Sequence, residues 1–416
     1  MSIPLSLPPR RERALLWLLA LTQFTIIMDF MVMMPLGPQI MHAFSVGPAA
    51  FATAVSAYSW CAGLSGLFAA TYIDRFDRKR LLLVVYALFA LSNLGCALAD
   101  SYSTMLLARA FAGLTGGVLG SLVLAIVGDV VPAERRGAAM GLVMTSFSLA
   151  AIAGVPLGVV LGAHYGWSTP FFLLVLFSAL IWLGAQRVAP SITAHIAHPP
   201  VPLSQTLPRL WSLLRKPPHL RAFGLTALIM VAHMLVVPFI SPVLVANHGV
   251  LPEQLSWIYL SGGCVTLFTS RAIGRLADRH GKRRVFRLVA LVSVLPVLFI
   301  THLPMIPLLA LIAFFPFFLV ASNGRNIPMQ ALLTTVPEPA QRGAFMSVNS
   351  AVQQIATGTG AWLGGQLLAN SAGGQIVGYG WNGWLSAALT LFAVYWIGRV
   401  RPAQAADTVA RAAVPS

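Results

Sequence analysis

Gly274-Arg275-Leu276-Ala277-Asp278-Arg279-His280-Gly281-Lys282-Arg283 is a charged break in a largely apolar chain, and it has a counterpart upstream. Asp74-Arg75-Phe76-Asp77-Arg78-Lys79-Arg80 precedes Asp278-Arg279-His280-Gly281-Lys282-Arg283-Arg284 by 204 residues. A second pair of breaks has nearly the same offset: Val131-Pro132-Ala133-Glu134-Arg135-Arg136-Gly137 and Val336-Pro337-Glu338-Pro339-Ala340-Gln341-Arg342-Gly343. Two repeats at half-chain spacing make the sequence a tandem of similar halves.

What lies between the breaks sets the class. Of 416 residues, 57% are hydrophobic and 9% charged, with a mean hydropathy of +0.80. Soluble proteins carry roughly a quarter charged residues, so a soluble enzyme, a disordered chain and a fibre are excluded. Apolar runs fall near 14–36, 49–73, 81–99, 104–130, 138–162, 169–186, 221–246, 254–274, 286–302, 305–333, 343–369 and 379–398. Each is long enough to cross a bilayer as a helix. The first, from Ala14, exceeds a signal-peptide apolar region in length and reads as a span. The net charge of +16 is not a nucleic-acid footprint. Breaks 1–13, 74–80, 134–136, 187–221, 271–287, 338–342 and 399–416 hold 25 of the 27 Lys and Arg residues, and the alternate breaks hold none. The positive-inside rule then puts both termini in the cytoplasm. The expected architecture is all-α: residues 1–186 and 221–416 as six-helix bundles, joined by a Pro-rich linker over 187–220. A short amphipathic helix is expected at 207–216. Cys61, Cys96 and Cys264 lie inside apolar runs and read as packing residues.

At these residues the chain resembles the major facilitator superfamily, whose loop motif between spans 2 and 3 reads G-x-L-a-D-R-x-G-R-K. Residues 274–283 match it closely, whereas in the first copy Ala70 and Asp77 stand where the two glycines are expected. The resemblance implies the twelve-span major facilitator fold, with pseudo-twofold symmetry and a site at midplane between the bundles. It also implies a conformational latch built from Asp74, Arg75, Arg78, Asp129, Gly274, Asp278, Arg279 and Gly281. Asp74 would meet the start of span 11 and Asp278 the start of span 5, closing the cytoplasmic side, with Asp129 paired to Arg78. A carboxylate is favoured at a helix N-terminus. The bland reading makes these charges topology signals alone. Arg109-Ala110-Phe111-Ala112-Gly113, with Gly116, Gly117 and Gly120, resembles the buried-Arg motif of twelve-span drug:proton antiporters. Gly154-Val155-Pro156-Leu157-Gly158 with Gly162 resembles their helix-5 motif in degenerate form. Asp29-Phe30-Met31-Val32-Met33-Met34-Pro35-Leu36-Gly37-Pro38 is similar to predicted sugar (arabinose) efflux permeases.

Polar residues inside apolar runs are the functional candidates. Asp29 is the one carboxylate deep in a span, where a charge costs about 2.5–3.5 kcal/mol on insertion scales. A carboxyl that alternates between an apolar setting and a nearby cation can carry a proton. Arg109, at comparable depth, is the expected partner, and a static ion pair is the structural alternative. Arg325, in Ser322-Asn323-Gly324-Arg325-Asn326-Ile327-Pro328, sits where Pro316, Gly324 and Pro328 predict a kink. It reads as a cavity wall for an anionic or hydroxyl-rich solute, or as an Arg snorkelling inward. His233 lies near midplane, as a titrating group or a neutral hydrogen-bonded one. Asn349, Gln353 and Thr357 form a stripe at i, i+4, i+8 that faces a cavity or bonds neighbouring helices. Asn323, Gln23 and Tyr58 are further cavity candidates. Trp60 and Met28, Met31, Met33 and Met34 could form an adaptable apolar wall, or simply pack.

No catalytic constellation, metal-ligand spacing, Walker A loop or dinucleotide fingerprint is present, so neither an enzyme nor a resident cofactor is expected. The reading is a secondary transporter of the bacterial inner membrane: proton-coupled efflux of a small organic solute or drug by alternating access. Its expected partners are that solute, protons and the lipid bilayer, with the protein a monomer. Uptake or exchange of a polar metabolite such as a sugar is the alternative within transport. A non-transporting membrane sensor is the alternative outside it.

Overall fold

Helices begin where a proline or a short polar side chain meets an apolar run. Proline opens α1 (Pro9–Val32), α2 (Gly37–Ala43) and α3 (Pro48–Tyr72), where its missing N–H costs nothing. Asp77 caps α4 (Arg78–Ala97) through the Lys79 amide, and Ser101 caps α5 (Tyr102–Val130) through the Thr104 amide. Next come α6 (Arg136–Leu149), a π-helical turn over Ala150–Gly154, α7 (Val155–Tyr165) and α8 (Thr169–Val188). The second half holds α9 (Pro217–Met234), α10 (Ile240–His248), α11 (Leu255–His280) and α12 (Lys282–Thr301). It continues with α13 (Leu308–Gly324), α14 (Asn326–Leu333), α15 (Arg342–Gln366) and α16 (Tyr379–Trp396). A two-residue hairpin pairs β1 (Ala369–Asn370) with β2 (Ile376–Val377). The computed structural model describes residues 7–132, 135–193, 196, 212–338 and 341–403. Most of the expected linker, and 207–211 of its expected helix, lie outside the described residues.

Counting α2–α3, α6–α7, α9–α10 and α13–α14 each as one rod, twelve rods follow one another in the described residues. Eight are long and apolar enough to cross a membrane on composition alone, and the bent pair α2–α3 (114°) makes a ninth. The others, α11, α15 and α16, carry polar positions such as Arg271, Arg275, Gln353, Gln354 and Asn382. The break at Arg325, between α13 and α14, has a local cause: Pro328 has no N–H to give the Gly324 carbonyl.

Basic breaks gather at one end. There Arg135 makes a bidentate pair with Glu12 (2.9 and 3.1 Å), Lys79 donates to the Gln186 carbonyl (2.7 Å), and Lys216 approaches Glu338 (3.7 Å). The Arg-poor breaks meet at the other end, where Tyr102 donates to the Ala50 carbonyl and Asn247 binds both N–H and C=O of Ile376.

The core is joined at the Arg-poor end and divided at the basic one. One apolar cluster joins Met28, Leu36 and Phe51 of the first half to Leu235, Phe239 and Phe315 of the second. Toward the basic end it gives way to a first-half cluster around Tyr86, Leu119 and Val123, and a second-half cluster around Ile229, Phe286 and Phe345. Gly128, Gly137, Gly141 and Gly343 have open space beside them there. The apolar joint between the halves is thus concentrated toward the Arg-poor end.

Close contacts across α3 hold the arrangement. A Cβ on Gly113 would drive into the Tyr58 carbonyl, and one on Gly117 into that of Ala62. Small residues let backbones approach when lipid offers no hydrophobic gain from association. Gly113→Ala should therefore destabilise the detergent-purified protein by about 1–3 kcal/mol, as overpacking does elsewhere. Gly120→Ala, with nothing within 4 Å, should leave the thermal midpoint unchanged. Equal midpoints for the two variants would refute this account of α3–α5 packing.

Candidate functional site

Asp29 lies on α1 and Arg109 on α5, and both side chains are 0% exposed. Arg109 Nη1 donates to Asp29 Oδ1 at 2.5 Å. The Tyr58 ring, brought in by the α3–α5 approach, lies under the guanidinium at 4.5 Å, and its hydroxyl donates to the Ile26 carbonyl at 3.4 Å. The pair is incompletely satisfied: Asp29 Oδ2, Arg109 Nε and Arg109 Nη2 have no hydrogen-bond partner. Buried polar atoms rarely stay unmatched without a reason. The Asn93 side chain, also buried, leaves its Oδ1 unmatched.

Arg325 is placed differently. It is 1% exposed, and its Nη1 donates to Thr390 Oγ1 (2.7 Å) and Ser293 Oγ (3.4 Å), while Nε is unpartnered. No carboxylate pairs with it among the described residues. His233, half-buried on α9, feels its charge. The snorkelling alternative does not hold, because hydroxyls of α12 and α16 keep the guanidinium inside the bundle.

Several expected cavity residues are held inside the bundles. Tyr58, Arg325, Asn349 and Thr357 are buried there. Asn349 Oδ1 accepts from Thr226 of α9 at 2.7 Å, the bonding between helices that was its alternative. Gln353 bonds Gln330 of α14 at 3.0 Å and stays half-buried, as do Gln23, His233 and Asn323. An almost uniformly apolar helix does not encode which polar position faces a neighbour and which a cavity.

The two loop copies differ in structure. In the first, Arg78 is buried and donates to Asp129 (2.8 Å), Asp74 (2.7 Å) and the Ile73 carbonyl (2.9 Å). Asp77 does not take the left-handed backbone (φ −57°). Its carboxylate instead holds the Ile192 amide (2.9 Å) and the Ser191 hydroxyl (3.0 Å), fastening the start of the linker. A departure from the family motif thus supplies a contact of its own; the only signal was a carboxylate at a helix start. In the second copy Gly281 is left-handed (φ +93°), and Asp278 and Arg279 are exposed, as is Arg75 in the first. Neither Asp74, 61% exposed, nor Asp278 pairs with the opposite half among the described residues, and a Cβ on Gly274 would meet only Ile327 within 4 Å.

Helix 5 of the resemblance corresponds to α6–α7. Pro156 follows the π-helical turn, whose last ring closes from the Val155 amide to the Ala150 carbonyl. Gly154, Gly158 and Gly162 face Met28, Val32 and Leu36, so this glycine face seats α1 just beyond Asp29. Met28 and Met33 are fully buried packing residues, and Trp60 donates to Thr359 of α15 at 3.2 Å. Among the described residues no group of three His, Cys, Asp or Glu could hold a metal.

Comparison with known proteins accords with this geometry. The profile of the Major Facilitator Superfamily matches residues 19–237 and again 222–415. A probable sugar efflux transporter of Mannheimia succiniciproducens is 29% identical over 222 residues, 53% of this chain and 54% of that protein. One of the same description from Helicobacter pylori is 24% identical over 358 residues, 86% of this chain and 88% of that one. A solved bacterial homologue of the human lysosomal transporter Spinster, inward-facing and occupied, superposes with a TM-score of 0.77 at 15% identity, covering 94% of this chain and 97% of that one. With both halves matched, the chain belongs to the Major Facilitator Superfamily, a family of integral, multi-pass secondary transporters and not of enzymes.

Proposed function

We propose that the protein exports a small organic solute, a sugar or similar polyhydroxylated compound or a drug, in exchange for protons across a bacterial inner membrane. Each rod crosses the bilayer once, both termini are cytoplasmic, and the Arg-rich end is the cytoplasmic one. The protein works as a monomer. The description carried by the Mannheimia and Helicobacter relatives supports the substrate class and direction.

The observation that carries the coupling is the Asp29–Arg109 pair, fully buried and short of hydrogen-bond partners. Protonating Asp29 removes the anion that offsets Arg109 and loosens α1 from α5. A proton can drive the bundles only by binding one conformation better than the other. The α1 helix is suited to that, because it touches α5 through the pair and α7 through the glycine face. Solute is held between the halves by the half-buried polar groups Gln23, His233, Asn323 and Gln353, with Arg325 fixing the α13–α14 break behind them.

Three expectations test this reading. In proteoliposomes under a pH gradient, Asp29→Asn should insert and fold normally yet lose solute-triggered proton movement; full coupled efflux by the variant would sink the coupling role. Gln353→Leu should raise KM by roughly tenfold with kcat little changed, the pattern of lost uniform binding. An unchanged KM would remove Gln353 from the site. Asp278→Asn should favour the state open at the Arg-rich end. A cysteine at Gly141, tested in a variant lacking Cys61, Cys96 and Cys264, should then react about two- to fivefold faster with an impermeant maleimide applied from that side. That factor corresponds to a charge–dipole contact of roughly 0.3–1 kcal/mol. No change in rate would reduce Asp278 to a topology signal.

A further inference from the structure

On the flank of the second half, α9 and α16 leave a groove of about 390 Å³ lined by apolar and aromatic residues. Ala227, Leu228 and Val231 form one wall, Leu389 and Phe392 the other, and Trp396 closes it toward the Arg-rich end. The Trp396 indole lies against α9 at Gly224, and its nitrogen donates to the Arg221 carbonyl at 2.9 Å. Gly224 is about 10 Å, and Val231 about 21 Å, along the axis from the start of α9. The groove therefore runs from headgroup depth into the hydrocarbon.

Its mouth is cationic. The Arg399 guanidinium lies 5.3 Å from the Trp396 ring centroid and 4.9 Å from that of Tyr395, and donates to the Tyr395 hydroxyl at 2.6 Å. From α12, Arg287 reaches the same final turn and donates to the Val394 carbonyl at 3.3 Å. Arg221 stands at the foot of α9. All three are exposed, and none forms an ion pair among the described residues. Yet Arg78, in the first half, has two carboxylates on its guanidinium. Unmatched guanidiniums over an apolar slot complement an amphiphile of opposite charge: a phosphate that takes several N–H donors, and a chain that fills the slot.

We propose that the α9–α16 groove is a binding site for one anionic phospholipid, its phosphodiester on Arg221 and Arg399 with Arg287 beside them, and one acyl chain between Gly224 and Val231. The site is separate from the proposed coupling pair and needs only that the chain span the bilayer.

The test is native mass spectrometry of delipidated protein in detergent, titrated with dioleoylphosphatidylglycerol, dioleoylphosphatidylcholine or inorganic phosphate. The native protein should keep one phosphatidylglycerol at concentrations where phosphatidylcholine is lost and phosphate alone adds nothing. Arg221→Gln with Arg399→Gln should weaken that adduct by about tenfold or more, on the scale of two interfacial charges. Ala227→Phe, which fills the slot and leaves every charge in place, should weaken it comparably. Arg275→Gln with Arg284→Gln removes equal charge from the same end and should leave the adduct intact. Equal retention of the two lipids would overturn the proposal. So would an equal loss in the Arg275/Arg284 variant, no loss on filling the slot, or binding of phosphate alone.

Discussion

Helix α3 is the wall on which both halves lean, and its close approach to α5 fixes the geometry of everything charged in the membrane. Gly113 and Gly117 let α5 descend onto the backbone of Tyr58 and Ala62. That descent lays the Tyr58 ring against Arg109, one turn from Gly113, and leaves the guanidinium no outlet except toward Asp29 on α1. On its opposite side α3 meets α15 just as tightly. Ser56 donates to the Gly358 carbonyl at 2.7 Å, and Gly365 sits against Ala52 and Pro48. One helix thus carries both the contact that orders the buried ion pair and the contact that joins the halves. A shift of the α3–α15 boundary reaches the pair through a single layer of packed atoms, the kind of two-arrangement element that coupling between sites requires.

The two buried arginines show how differently one residue type can be accommodated. Arg109 has an anion, and burying that pair is tolerable because charge is offset where solvation is lost. Arg325 has two hydroxyls and no carboxylate. Hydroxyl dipoles solvate a guanidinium without neutralising it, so the second bundle keeps a net positive interior beside His233, where the first keeps a neutral pair. The two halves are alike in fold and unlike in electrostatics. Were protonation to neutralise Asp29, the first bundle would gain an uncompensated cation, as the second already has. Such a protonation would leave each half with a buried guanidinium that no carboxylate offsets.

The fold was legible in the sequence because two signals depend only on composition along the chain. Runs of about 20 apolar residues mark crossings, and the alternation of Arg-rich with Arg-free breaks marks sides. Asp29 and Arg109 were legible as partners because each is expensive alone and they lie at similar depth. The orientation of the remaining polar residues was not. Asn349 and Gln353 share a helix face, yet one is consumed by Thr226 and the other meets Gln330. Their neighbours come from helices 123 and 23 residues away in sequence. The Arg135–Glu12 pair, across 123 residues, was hidden for the same reason.

The two loop copies carry the last asymmetry. In the first, the described carboxylates are engaged: Asp74 and Asp129 by Arg78, Asp77 by the linker start. In the second, Asp278 stands exposed beside a left-handed glycine, with no partner among the described residues. A bound carboxylate must give up its contact before forming another; a solvated one gives up only water. Moving Asp278 to a new partner would therefore cost less than moving Asp74. The first loop is braced by Arg78 and Asp77, and among the described residues Asp278 has no such brace in the second.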